Sequence, residues 1–342
     1  MNLQPVGILS SGLVTPVGLT SEASCAAIRA KVSNPLETRF VDSSGDWIMA
    51  HSVPLGDSCR GSTKLYEMVS LAISECLVDI SPDEWGRIPL FLCIAERERP
   101  GRLESIDEVL FGEIQRKLGC GFSELSRIFP LGRVGAPTAL LLARQLLRDD
   151  KAPFVLIVAT DSLLNWQTLS AYERNDRLLT KANSNGVMPG EGAGALLVGH
   201  VVAGEALICT GLGFSTEAAA IGLEQPLRGA GLEQAVNAAL SDAGCRMEHL
   251  NFRISDLSGE QYYFKEVALA TARIQRARKD DFDIWHPAES IGETGAVIGI
   301  ATIAVALDAC RKSYAPGPRL LCIAAADNGD RAATIFQFGR AE

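Results

Sequence analysis

Apolar residues along this chain come in short unbroken runs, separated by segments in which they recur every three to four positions. The runs PVGILSSGLVTPVG (5–18), IPLFLCIA (88–95), APFVLIVATD (152–161) and GAGALLVGHVV (192–202) predict strands or a strand with its turn. TKLYEMVSLAISECLVD (63–79), GAPTALLLARQLLRD (135–149) and LSAYERN (169–175) have helical spacing. Past residue 203 the alternation resumes: GEALICTGLGFS and LNFRISDLSG read as strands, and LEQAVNAALSDAG and EVALATARIQRA as helices. GETGAVIGIATIAVALDAC (292–310) then predicts a long apolar helix, followed by the strands RLLCIAAAD and ATIFQFG. SPDEW and YAPGP read as loops. Strands that are apolar at every position must be covered on both faces, so the pattern predicts a layered α/β fold. The two helices that are apolar almost all round, starting near Gly135 and Gly295, hold similar places in the two halves. They point to an internal duplication, 1–203 and 204–342, with one buried helix in each half.

Composition narrows the function classes. The chain has 342 residues, is 47% hydrophobic and carries a formal charge of −9, which leaves no basic footprint for nucleic acid. The first basic residue is Arg29 and no apolar run reaches the ~18 residues needed to cross a bilayer, so a cytoplasmic location is expected. Nine scattered cysteines without a C-x-x-C pair are expected to be reduced and mostly buried. No two of the four histidines have metal-ligand spacing, and neither a metal nor a cofactor is expected.

Four stretches, in one order, resemble motifs of the β-ketoacyl synthases (3-oxoacyl-[acyl-carrier-protein] synthases) of the thiolase-like superfamily. GLVTPVG (12–18) is similar to their N-terminal strand and turn. Residues 154–199, ending in GEGAGALLVG, resemble their strand, helix and glycine-rich hairpin. LEQAVNAALSDAG with DLSGEQYYFKE resembles the helix before an H-G-T-x-T loop, and ESIGETGAVIGIATIAVAL the G-H-x-x-G-A-A-G segment with its buried helix. The resemblance spans essentially the whole chain, which is shorter than usual for the family. It implies a five-layered αβαβα fold of two similar halves and dimerisation edge to edge.

The same resemblance marks where the chemistry has gone. The family's nucleophilic cysteine sits at the N-terminus of the first buried helix, where amide dipoles lower its pKa, and two histidines serve the malonyl thioester. Aligning TALLLA (138–143) puts the nucleophile at Arg133, or at Gly132 if the register slips by one. The first histidine falls on Ser258, the second on Glu293, and an expected lysine on Ala288. The C-terminal gating loop reads ADNGDRAA (326–333), without a phenylalanine. Cys120 lies upstream of the strand IFPL on another element and reads as a buried small residue. His51, His200, His249 and His286 read as surface or loop residues, with His286 alone near the expected pocket.

No catalytic residue is therefore expected; Arg133, Ser258 and Glu293 stand at degenerate positions. Opposite in sign, Arg133 and Glu293 are expected to form a buried or half-buried ion pair that fills the pocket. Two other roles remain open for Arg133: capping a turn toward solvent, or binding an anion such as a phosphopantetheine phosphate at the helix end. The resemblance implies an inactive synthase-like protein acting as a binding or assembly partner, as a homodimer or with an active synthase, an acyl carrier protein, or a secretion effector or adaptor. Its versions are a chain-length-factor-like subunit of a fatty acid or polyketide synthase and an accessory protein of type VI secretion effector loading. The rival class is an atypical acyl-processing enzyme using Ser258 or Glu293 as nucleophile or base.

Overall fold

The computed structural model describes residues 4–56, 58–201 and 205–340. The chain runs β1 (Val6–Val14), α1 (Ser21–Arg29), β2 (Leu36–Val41), β3 (Trp47–Ala50), α2 (Gly61–Cys76), β4 (Leu90–Cys93), α3 (Ile106–Leu118) and β5 (Arg127–Phe129). Next come α4 (Gly135–Arg148), β6 (Phe154–Ser162), α5 (Trp166–Arg174) and β7 (Glu191–Gly199). The rest is β8 (Glu205–Thr216), α6 (Ala230–Asp242), β9 (Phe252–Ser255), α7 (Gln261–Ile274), β10 (Ile284–Trp285), α8 (Ala288–Ile291), α9 (Ile298–Arg311), β11 (Arg319–Ala325) and β12 (Asp330–Arg340).

Ten strands form one sheet in the order β10-β9-β11-β12-β8-β1-β7-β6-β4-β5. This order is a palindrome. Outward from the central β8–β1 pair, and counting only the strands of this sheet, each side reads first, fifth, fourth, second and third strand of its half. The pairings mirror one another too: β1–β7 and β7–β6 are antiparallel while β6–β4 and β4–β5 are parallel, and β8–β12, β12–β11, β11–β9 and β9–β10 repeat that sequence. The two sides join through a short antiparallel contact of Val6–Gly7–Ile8 with Leu207–Ile208–Cys209. The division expected at 203/204 lies outside the described residues.

Strand alternation sorts the core into layers. Val155, Ile157 and Ala159 of β6 pack with α4 and α9, whereas Leu156 and Val158 pack with α2 and α3. On the other side Leu320 and Cys322 of β11 face α9, and Leu321 and Ile323 face α6 and α7. The result is the αβαβα stack. Every residue of α9 from Ile298 to Leu307 is buried, because the helix has sheet on either side and α4 against it. Its regular part starts at Ile298, later than the sequence pattern predicts, after a 3₁₀ turn at Gly295–Val297. A matching turn, Gly132–Val134, precedes α4.

Helices α1 and α3 and strand β2 are not among the elements that the sequence pattern predicts. All nine cysteines are free, six of them buried; Cys120 is half-buried in the loop after α3.

The outer helices approach the first strand of each half closely. A Cβ at Gly12 of β1 would lie 2.0 Å from the Ala72 carbonyl oxygen of α2, and one at Gly213 of β8 would lie 2.0 Å from that of Ala235 in α6. Both neighbours are helix backbone, which cannot yield locally. Gly12→Ala and Gly213→Ala are each expected to cost about 1–3 kcal/mol or more, read as a lower denaturation midpoint at unchanged slope. Gly112→Ala, on an exposed helical turn with nothing within 4 Å of the new methyl, is expected to stabilise by about 0.4–1 kcal/mol.

Candidate functional site: a buried arginine–carboxylate cluster

The two central helices begin side by side, and their leading turns form the site. Gly132 and Gly295 open those turns with φ of +54° and +56°, a region that glycine enters without strain. At Gly295 there is also no room for a side chain, since a Cβ would sit 2.1 Å from Asp161 Oδ2. Asp161, next to last in β6, accepts the Ala296 N–H at 2.9 Å and is gripped by both terminal nitrogens of Arg99.

Arg133 occupies the turn before α4, and its side chain points inward, 6% exposed. Nε lies 3.3 Å from Glu293 Oε1, Nη2 3.0 Å from Asp327 Oδ1, and Nη1 donates to the Ala325 carbonyl at 3.0 Å. Asp256 Oδ2 stands 4.0 Å from Nη1, and the Tyr263 ring lies beneath the guanidinium at 4.9 Å. Glu293 is equally enclosed. Its Oε2 accepts the Ser258 hydroxyl at 2.6 Å and its Oε1 the Gly295 N–H at 3.0 Å. Asp327 is shared with Arg177, which reaches it at 2.6 Å while forking onto Glu260 at 2.7 and 2.8 Å; the Tyr263 hydroxyl also donates to it. Behind this cluster Arg331 and Glu266 form a second pair with no exposed side-chain surface.

The three positions singled out in the sequence thus meet: Arg133 pairs with Glu293, and Glu293 accepts from Ser258. Arg133 does not cap a turn toward solvent: it donates to the Ala325 carbonyl and to Asp327, and its charge is paired with Glu293. The space remaining among Glu96, Arg99, Arg133, Glu293 and Asp327 is about 10 Å3, room for one water. Gly132 faces the Glu96 carboxylate, and Ala288 is buried in α8.

Of the histidines, His200 and His249 are exposed as expected. His51 departs from the expectation of a surface residue: it is 2% exposed, packed against the Gly292 turn, and burial lowers its pKa. His286 borders a separate cavity with Trp285 and Tyr314 and does not line the cluster. Asp327, Asp256, Arg177 and Tyr263 were missed, although Asp327 lies in the quoted ADNGDRAA loop and Asp256 two residues before Ser258.

Charge placement sets the titration. Burial works against the Asp327 carboxylate, but Arg133 and Arg177 outweigh it and hold its pKa well below the ordinary carboxylate value. For Glu293 burial prevails and pushes the pKa up, with Arg133 and the Ser258 hydroxyl pulling back.

No protein-family model and no curated protein matches the chain, whereas solved structures do. A chain from the complex of a type II polyketide synthase acyl-carrier protein with its ketosynthase bound to a hexaketide superposes with a TM-score of 0.80 at 14% identity, covering 98% of this chain and 100% of that one. The ishigamide ketosynthase/chain length factor gives a TM-score of 0.76 at 15% identity over 98% and 99%. A ketosynthase in complex with its chain length factor from Xenorhabdus doucetiae gives 0.75 at 12% over 98% of each chain. The chain therefore has the thiolase-like fold of the ketosynthases.

Arg133→Met leaves buried carboxylates unpaired and is expected to cost about 3–5 kcal/mol. Adding Glu293→Gln and Asp327→Asn should recover part of that loss, which chemical denaturation of the three variants checks. Because the folded pKa of Asp327 is depressed, its contribution is complete above the unfolded value of about 4 and is lost as pH falls through the folded value. The stability difference between wild type and Asp327→Asn is expected to stay level from neutrality to about pH 5 and to shrink below pH 4.

Proposed function

We propose that this chain is a catalytically inactive relative of the β-ketoacyl synthases that serves as a binding and assembly subunit. The observation that supports this reading is the Arg133–Glu293–Asp327 cluster: the sequence resemblance assigns Arg133 to the nucleophile's position and Glu293 to a histidine's, and the space left among them is about 10 Å3. A guanidinium buried against carboxylates is no nucleophile, and a void the size of one water admits no thioester. Neither histidine position is filled by an imidazole, so decarboxylation of a malonyl thioester has no support either. Two of the similar structures contain a ketosynthase with a chain length factor, and another an acyl-carrier protein with its ketosynthase. That likeness favours a chain-length-factor-like role beside an active synthase, in a dimer that an acyl carrier protein visits. Nine free thiols support a reducing, cytoplasmic setting, and no described helix is long and apolar enough to cross a membrane.

One observation favours the rival class. The Ser258 hydroxyl donates to a buried Glu293 whose pKa is raised, an arrangement in which a carboxylate is placed to take the serine proton. It lacks space for substrate and a free oxyanion donor, since the Gly295 N–H is already bonded to Glu293.

Affinity purification from the native cell with mass spectrometry tests the assembly role. An active synthase recovered in near-equal amount, with an acyl carrier protein, is the expected result. Recovery of secretion-apparatus components instead would replace the chain-length-factor role with an adaptor role, and recovery of the chain alone would overturn the proposal.

A further inference from the structure

Away from the buried cluster, a cavity of about 250 Å3 lies where the end of α1 meets β10, α8, α9 and Tyr314. Its apolar surface comes from Ile28, Ile284, Pro287 and Val305 and from two rings, Trp285 and Tyr314, stacked at 6.2 Å with 22° between their planes. Both rings are held by neighbours outside the cavity. Trp285 packs on Phe252 at 4.8 Å, and the Tyr314 hydroxyl donates to Asp308 at 2.8 Å, so the flat wall is fixed.

The polar side chains of the lining are mostly donors without a partner. Arg29 lies over the Tyr314 ring at 4.1 Å and makes no ion pair or hydrogen bond among the described residues. Stacking engages the face of a guanidinium and leaves the N–H groups at its edge to bond elsewhere. Ser290 lines the cavity although it is only 2% exposed, and its hydroxyl bonds no group among the described residues. The Trp285 indole N–H likewise has no acceptor among them. Burial lowers the His286 pKa, so at neutrality its imidazole adds no charge to the lining. Lys31 and Glu289 stand at the rim, 81% and 55% exposed, and face each other at 4.0 Å. Their charges offset, which leaves Arg29 as the uncompensated charge of the lining. Enclosed polar groups in native proteins are almost always bonded, so a buried hydroxyl beside an unpaired guanidinium calls for an acceptor.

We propose that this cavity binds a small aromatic carboxylate, its ring in the apolar part of the cavity and its carboxylate on the unused donors, Arg29 first. A carboxylate meets the fork of a guanidinium with two parallel hydrogen bonds. The volume lies below the roughly 300–1,000 Å3 of sites for drug-sized molecules, so it suits one ring and excludes a peptide chain. The inference is independent of the inactivity proposed for the central cluster, whose remaining void shares no lining residue with this cavity.

Ligand-observed NMR on the intact protein tests it with benzoate, phenylacetate and indole-3-carboxylate, each beside its carboxamide. The expected result is binding of at least one acid at about 1 mM or below, with its amide weaker by about tenfold or more. Arg29→Gln, an exposed change, should weaken that acid by about tenfold or more. Ser290→Ala removes a hydroxyl with no protein partner, so it should leave the denaturation midpoint unchanged and weaken the acid by about threefold or more. Absence of acid binding up to about 10 mM, amides that bind as well as the acids, or affinities indifferent to both substitutions would overturn the proposal. So would displacement of the acid by an equal concentration of inorganic phosphate, which would reduce the site to a bare positive charge.

Discussion

A single guanidinium organises the middle of this molecule. Arg133 stands where the two central helices begin, and it is tied within 3.3 Å to Glu293 from one loop, Asp327 from another and the Ala325 carbonyl at the end of β11. Burial of a lone charge costs several kcal/mol, so these loops are held as partners of the charge as much as by their own packing. Arg177 extends the arrangement to Glu260, and Arg99 with Asp161 closes the other flank. The carboxylates that compensate Arg133 all follow β8 in the chain whereas Arg133 precedes it, so the charges couple the two sides where the backbone contact of β1 with β8 is short. An apolar core of the same volume would serve stability as well. What the cluster does in addition is fill the space between the two leading turns, leaving about 10 Å3.

The mirrored topology explains why that place exists. Each half delivers one apolar helix to the centre through a glycine-led turn, and each presses an outer helix onto its first strand through a glycine without room for a Cβ. Two turns meeting head to head create a pocket whose walls are fixed by the deepest packing in the protein. A long cation and a carboxylate fill that space without disturbing the packing around it.

How much of this can be read in the sequence depends on the range of the interaction. The layers were legible because β6, β7, α4 and α9 are apolar at nearly every position, which only a doubly covered sheet and a central helix require. The meeting of Arg133 with Glu293 was legible because both lie at fixed offsets from glycine-rich motifs. Asp327 and Arg177 were not, since they reach the cluster from loops 150 residues apart and no periodicity links them. Strand β2 escaped notice because LETRFV is exposed at four of its positions and only partly covered at the other two, so no alternation stands out. His51 was misjudged for a related reason: its burial comes from the approach of the Gly292 turn, a tertiary contact with no local signature.

The central claim is that the pocket is closed by its own charges and performs no acyl chemistry. Intact-protein mass spectrometry after incubation with a malonyl or acyl pantetheine thioester tests it most directly, on the wild type beside Ser258→Ala. The account predicts no added mass on either protein and no release of carbon dioxide or free thiol above the buffer rate. An acyl adduct on Ser258 that is absent from Ser258→Ala would contradict it and would make the hydrogen-bonded serine and glutamate a working site.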